Sequence, residues 1–233
     1  IPIVVLFLFF MSVGPQTGWI KNKFYNLNLF FRILIGSIFI NFCIVYLFKG
    51  YSLLSNFIII SAVFLVISSL IDLFKSYKNL SMDSPRVISH LAFGFLIFFI
   101  GINYNFSLEK DFNLKLGEKK NFENYSVEFK DLRLKDFKNY KAIIGEFKIN
   151  NMKENVNQSL YPEIRIYENP STITYETSIR SGILKDYYIT MSNIDRSDYY
   201  NIKFQKKPFM MWIWVSVIFI SLGGFLRLYK NAK

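Results

Sequence analysis

Five apolar runs and one long mixed stretch organise this chain. Ile1–Met11, Leu29–Phe48, Leu53–Phe74, Val87–Ile102 and Phe209–Tyr229 carry few charges, and Asn103–Lys207 lies between the last two. A helix needs roughly 20 apolar residues to cross a bilayer. The second, third and fifth runs meet that length. The fourth reaches it when its flanks are added, with Pro85 as a first-turn residue, which puts the span near 85–104. The first run is read as the tail of a truncated span. The sequence opens inside it at Ile1-Pro2-Ile3, with no charged region ahead and no small-residue cleavage site behind, unlike a signal peptide. The expectation is a fragment of a longer polypeptide.

The stretch 103–207 has a different rhythm. Phe106–Leu116, Tyr125–Leu134, Tyr140–Ile149, Tyr161–Glu168, Thr172–Ile179, Tyr187–Met191 and Tyr199–Phe204 alternate apolar and polar residues and are rich in Tyr, Phe, Ile and Val. Turn signals separate them at Leu116-Gly117, Asn150-Asn151, Asn169-Pro170 and Ser181-Gly182. The predicted fold class is a membrane α-helical bundle of about five transmembrane segments, the first truncated, with an inserted all-β periplasmic domain, a small sandwich or barrel. The domains are then 1–102 and 208–229 for the helices, 103–207 for the insert and 230–233 for a cytoplasmic tail.

Composition agrees with a membrane protein: 52% of the residues are hydrophobic and 26 are Phe. The net charge of +11 acquires meaning only when it is located. The insert holds 18 Lys/Arg against 15 Asp/Glu, so most of the excess flanks the spans. This is not the clustered footprint of a nucleic-acid surface. Alternating topology collects Lys21, Lys23, Arg32, Lys75, Lys78, Arg86, Arg227, Lys230 and Lys233 on one side, against Lys49 on the other. Positive charge favours the cytoplasm, which places the insert in a periplasm-like compartment. The location expected is the bacterial inner membrane.

The lone cysteine, Cys43, excludes an internal disulfide or a zinc cluster and reads as a small buried hydrophobe. With no His or Cys, the insert holds no complete catalytic set and reads as a binding or structural module. Arg165, Arg180, Lys185 and Asp186 lie amid its aromatic strands, suited to surface pairing or to an anionic group such as a haem propionate. Trp212 and Trp214 enter the last span as interfacial anchors or as lining of a ligand site. Asp72 and Asp83, the only acids outside the insert, read as surface pairing or snorkelling acids.

His90 is the only histidine, and it lies in the fourth span. Ionisable groups in a bilayer are costly and usually face the protein interior or do chemistry. Three roles stand open from the span alone: a haem or metal ligand, a hydrogen bond to a neighbouring helix, or a proton path. Gly94 is one turn beyond His90, and Gly101 lies two turns further. Their missing side chains make room either for a flat macrocycle or for close helix contact.

Several motifs run in order through the chain: Gly14-Pro15 with Trp19, Ser89-His90-Leu91-Ala92-Phe93-Gly94, Tyr161-Pro162-Glu163-Ile164-Arg165-Ile166-Tyr167, Thr174–Gly182, Lys185-Asp186-Tyr187-Tyr188, Lys207-Pro208-Phe209-Met210-Met211-Trp212-Ile213-Trp214 and Leu222-Gly223-Gly224-Phe225. Together they resemble the C-terminal portion of the CcmF family, haem lyase subunits of cytochrome c maturation. The resemblance implies that haem is received from a haem chaperone and joined through its vinyl groups to the CxxCH thiols of apocytochrome c, beside other maturation subunits. It also implies a haem b in the membrane, with His90 on the iron, Gly94 beside it and the second axial ligand outside this chain. The family's tryptophan-rich haem-binding segment does not occur in these 233 residues, so the chain alone is expected to be inactive, with no catalytic residue identifiable in it. A paralogue serving nitrite reductase shares most of these motifs. Two rivals from other classes are a membrane-anchored scaffold without cofactor and a transporter subunit. The latter has only Asn41, Ser61, Ser68 and Ser69 to line a pathway.

Overall fold

The computed structural model describes residues 2–13, 27–48, 52–79, 84–152, 156–194 and 197–231. The Gly14-Pro15 turn, Trp19, Lys21, Lys23, Lys49, Asp83 and Lys233 lie outside them. Two compact units result, one from residues 1–106 and 208–233, the other from 107–207.

The first unit is helical: α1 (Pro2–Val13), α2 (Leu27–Phe48), α3 (Leu53–Asn79), α4 (Ser84–Phe106) and α5 (Met210–Asn231). Among the described residues, four of these are long and apolar enough to cross a membrane, and α1 is a shorter apolar helix. α4 runs four residues past the apolar stretch that ends at Ile102, because Asn103, Tyr104 and Asn105 continue the helix where sequence polarity alone suggests its end. At 23 residues it is about 34 Å long. α3 is the central helix, packed by α1, α2 and α4, and α4 also packs on α5. Ile59, Ala62, Val63, Phe64 and Leu65 of α3 are buried. Small residues permit the closest approaches. A methyl group on Gly94 would meet Val66 Cγ2 at 2.8 Å, and one on Gly101 would meet Ile59 Cγ1 at 2.9 Å, so α3 fills the volume both glycines leave. Gly223 of α5 lies against Ser89 and the Pro85 carbonyl of α4 in the same way, whereas Gly224 faces open space.

The second unit has two sheets. One is β1 (Leu108–Leu114), β10 (Tyr200–Pro208), β9 (Lys185–Asn193) and β8 (Ser178–Arg180), in that order. The other is β2 (Lys119–Phe122), β3 (Tyr125–Asp136), β4 (Tyr140–Asn151), β6 (Glu163–Tyr167) and β7 (Thr172–Glu176), with β5 (Val156–Leu160) also on β4. β5 and β6 act as one interrupted strand along β4. Pro162 has no N–H to give, and its carbonyl accepts the Gly145 N–H at 3.0 Å across the break. Val127, Phe129, Phe147 and Ile149 from the larger sheet meet Ile189, Met191, Ile202 and Phe204 from the smaller in a dry core. Lys130 is an extra residue between the pairs Phe129–Phe147 and Asp131–Glu146, and this bulge shifts the alternation of β3 against β4.

Three features differ from the strand pattern expected. β2 and β5, with sequences KKNF and VNQSL, are polar and show no alternation, so pairing with β3 and β4 makes them strands rather than their own preference. The expected strand Thr172–Ile179 is two strands in different sheets, the chain passing between them at Thr177.

Candidate functional site: a histidine on the fourth helix

Two faces of α4 can be told apart. Gly94 and Gly101 face α3. Ile88, Ala92, Phe95 and Phe99 face α5 across an apolar groove of about 480 Å³, closed on the other wall by Trp212, Val215, Phe219, Leu222 and Leu226. Arg86, His90, Phe93 and Ile97 lie on the same side of α4 as the two glycines by helical spacing, and the Phe93 ring there meets Phe7 of α1 edge-on at 6.2 Å. His90 is partly buried on this side. The charged groups acting on its imidazole are Arg86, one turn earlier, and Asp72 of α3.

Gly94 therefore does not open space beside the imidazole. It faces the α3 backbone, 3.3 Å from the Val66 nitrogen and 3.4 Å from the Ala62 carbonyl for an added methyl. The groove also lies on a different face from His90. The Ser216 hydroxyl in its lining donates to the Trp212 carbonyl at 2.8 Å. Trp212 lines the groove and stacks on Phe99 with centroids 5.8 Å apart, while Trp214 is exposed. Phe209, at φ 57°, sits in the left-handed region that bulky residues avoid. Its ring packs on Phe99 and its carbonyl accepts the Trp212 and Ile213 N–H groups, while Asn103 Nδ2 donates to the Pro208 carbonyl at 2.6 Å. The Lys207–Trp214 motif is thus the built entrance of α5. Sequence reasoning had no signal for the unusual Phe209 backbone.

A haem or metal fits this site through one bond only. His90 offers an imidazole nitrogen, and among the described residues no group of three His, Cys, Asp or Glu could hold a metal ion.

In the β unit, the four residues singled out do not form one site. Arg165 in the larger sheet is held by Glu163 at 2.9 Å and Glu176 at 3.9 Å, with its guanidinium 5.0 Å from the Tyr140 ring centre. Asp186 in the smaller sheet is buried. It accepts the Gly182 N–H at 3.0 Å and the hydroxyls of Tyr188 and Ser181 at 3.3 and 3.4 Å, which ties down the turn between β8 and β9. Arg180 pairs in register with Tyr187, and the Lys185 ammonium lies 5.9 Å from the centre of that ring.

Burial first, then the Asp186 charge and the hydrogen bond to it, raise the Tyr188 phenol above its ordinary pKa of 10.0. The folded chain keeps this proton where the unfolded chain releases it, so the contribution is complete below about pH 10 and is lost as pH rises further. Tyr188→Phe removes that alkaline loss. Chemical denaturation of wild type and variant between pH 8 and 11 tests this, and curves that stay parallel throughout would contradict it.

Comparison with known proteins follows the same lines. Residues 105–208 match the family described as the CcmF C-terminal beta-sandwich. The chain is similar to the cytochrome c-type biogenesis protein CcmF of Haemophilus influenzae, at 24% identity over 98% of this chain and 37% of that protein. Its counterpart in Escherichia coli K12 is 23% identical over 97% of this chain and 36% of that protein. A solved structure titled Cytochrome c Heme Lyase CcmF shares the fold, with a TM-score of 0.74 and 19% identity over 95% of this chain and 38% of that one. The chain thus spans little more than a third of the length of the relatives it matches. With four membrane-length helices among the described residues and these relatives, it is a multi-pass membrane protein.

Proposed function

We propose that the chain, similar to CcmF proteins along almost its whole length and matching the CcmF C-terminal beta-sandwich at residues 105–208, works in cytochrome c maturation as part of a membrane haem lyase. In this reading His90 gives one axial bond to a haem b in the membrane, and the second ligand comes from outside this chain. The insert lies on the periplasmic side, where it docks the haem chaperone, apocytochrome c or neighbouring maturation subunits, and the C-terminus is cytoplasmic. The observation that carries the reading is the placement of the only histidine, partly buried within a helix long and apolar enough to cross a membrane. When bound, the haem supplies one-electron chemistry for keeping incoming haem iron reduced.

The residues have separable tasks. α3 holds α4 through Gly94 and Gly101, which fixes the height and rotation of His90. α5 returns the chain into the membrane through the Phe209 entrance and braces α4 at Ser89. The β unit contributes binding surface, and thioether formation draws on haem reactivity and positioning more than on an acid or base here.

A reduced-minus-oxidised optical spectrum of the native membrane protein tests the proposal. His90→Ala is expected to remove the b-type signal while protein level holds. A signal that persists would put the iron elsewhere and return His90 to helix packing.

A further inference from the structure

We propose that the turn between β8 and β9 seats in the surface of the bilayer, with Ile183 and Leu184 among the acyl chains and Arg180 and Lys185 on anionic headgroups. Turns are usually built from Gly, Pro, Asn, Asp and Ser. This one presents two adjacent aliphatic side chains, Ile183 at 65% and Leu184 at 61% exposure, with Ile179 at 55% behind them. Its shape is fixed from within the sheet. Buried Asp186 accepts the Gly182 N–H and the Ser181 and Tyr188 hydroxyls, and Arg180 pairs in register with Tyr187. Asp186 is the only acid from Ser178 to Tyr188, so the charge left at the surface of the turn is that of Arg180 and Lys185.

The direction of the strands identifies what the tip meets. β10 ends at Pro208, and α5, a helix of membrane length, begins at Met210. β9 and β10 are neighbours joined by residues 194–199, so they run in opposite directions. The Lys207 ammonium lies 5.1 Å from the centre of the Tyr188 ring, which sets the end of β10 beside the start of β9. From Tyr188 back to Lys185 is three residues, about 10 Å of strand, and the tip lies beyond. The turn thus extends past Lys207 in the direction in which β10 leads to α5. β1, paired with β10, starts from this same end, two residues after the last residue of α4. An apolar pair flanked by cations, at the end from which both chain crossings leave, suits a lipid surface: the aliphatic groups leave water, and the cations lie within reach of anionic headgroups.

A fluorophore that shifts to the blue in apolar surroundings reads the depth of the turn. It is placed on Leu184→Cys of the native membrane protein in vesicles of phosphatidylcholine and phosphatidylglycerol, and the protein without the added cysteine sets the background. The expected result is blue-shifted emission, quenched by lipids that carry a spin label high on the acyl chain. The same fluorophore on Leu116→Cys, 54% exposed in the turn after the far end of β1, should emit as in water. Arg180→Gln together with Lys185→Gln should lower the ratio of seated to free turns about tenfold or more in these vesicles, and less in phosphatidylcholine alone. An unchanged ratio in that variant would overturn the headgroup contacts. Water-like emission at position 184, or quenching no stronger than at position 116, would overturn the proposal as a whole. Blue-shifted emission that the lipid-borne label does not quench would mean that a protein segment covers the turn, which also overturns it.

Discussion

Gly94→Leu is expected to remove most of the folded protein from the membrane. A single methyl at this position already comes within 2.8 Å of the Val66 side chain and 3.3 Å of the α3 backbone. The Val66 methyl can yield, but the backbone of a central helix packed on three sides cannot. The four carbons of leucine must therefore push α3 and α4 apart, at about 3 kcal/mol or more. That is a large part of the 5–15 kcal/mol that holds a typical domain. Gly94→Ala sits nearer balance, since alanine gains about 1 kcal/mol of helix propensity against the strain. Gly36 of α2 and Gly224 of α5 have nothing within 4 Å of an added methyl, so Gly36→Ala and Gly224→Ala are expected to be neutral or slightly stabilising. Yield and thermal melting in detergent report the difference. Equal melting of Gly94→Leu and the two control variants would mean that α3 and α4 do not approach this closely.

Phe147→Ala should have the largest effect in the β unit. Phe147 is fully buried and stacks on Phe129, its cross-strand partner, with ring centres 4.5 Å apart and planes at 14°. Removing a buried phenyl ring costs about 3–5 kcal/mol through lost transfer energy and the cavity left behind. The cavity cannot be refilled from Gly145, whose missing side chain leaves only 2.7 Å between an added methyl and Phe147 Cε2. The strand break at Pro162 also lies across from this point, so the neighbouring backbone has fewer hydrogen bonds to resist opening. Limited proteolysis of the intact protein should cut within residues 107–207 at much lower protease concentration than in wild type. Leu134→Ala, at an 81% exposed position of β3, is the matched control and should leave the threshold unchanged.

How much was legible beforehand differed by element. The apolar runs marked the helices because lipid leaves a chain little freedom: backbone polar groups must be satisfied within the segment, so length and hydropathy nearly define a span. The longer β strands announced themselves by alternation, since one face of each meets the core. β2 and β5 did not, because their hydrogen bonds come from neighbours and few of their side chains meet the core. Thr172–Ile179 read as one strand because nothing local marks the crossing between sheets at Thr177. Pro162 was visible in the sequence, but its effect needed Gly145 opposite it to have meaning.

The site divides along the same line. The sequence by itself determined that one ionisable imidazole sits in an apolar span and that glycines follow it at helical spacing. These are properties of composition and period, which no tertiary arrangement can change. Only the tertiary structure decided where the glycines point. Spacing allowed them to make room for a macrocycle or for a helix, and the packing of α3 gives that volume to Val66 and Ile59. The structure likewise put the apolar groove on the side of α4 away from His90. Such pairings depend on the register between helices, which close contacts between backbones fix and which no single segment encodes.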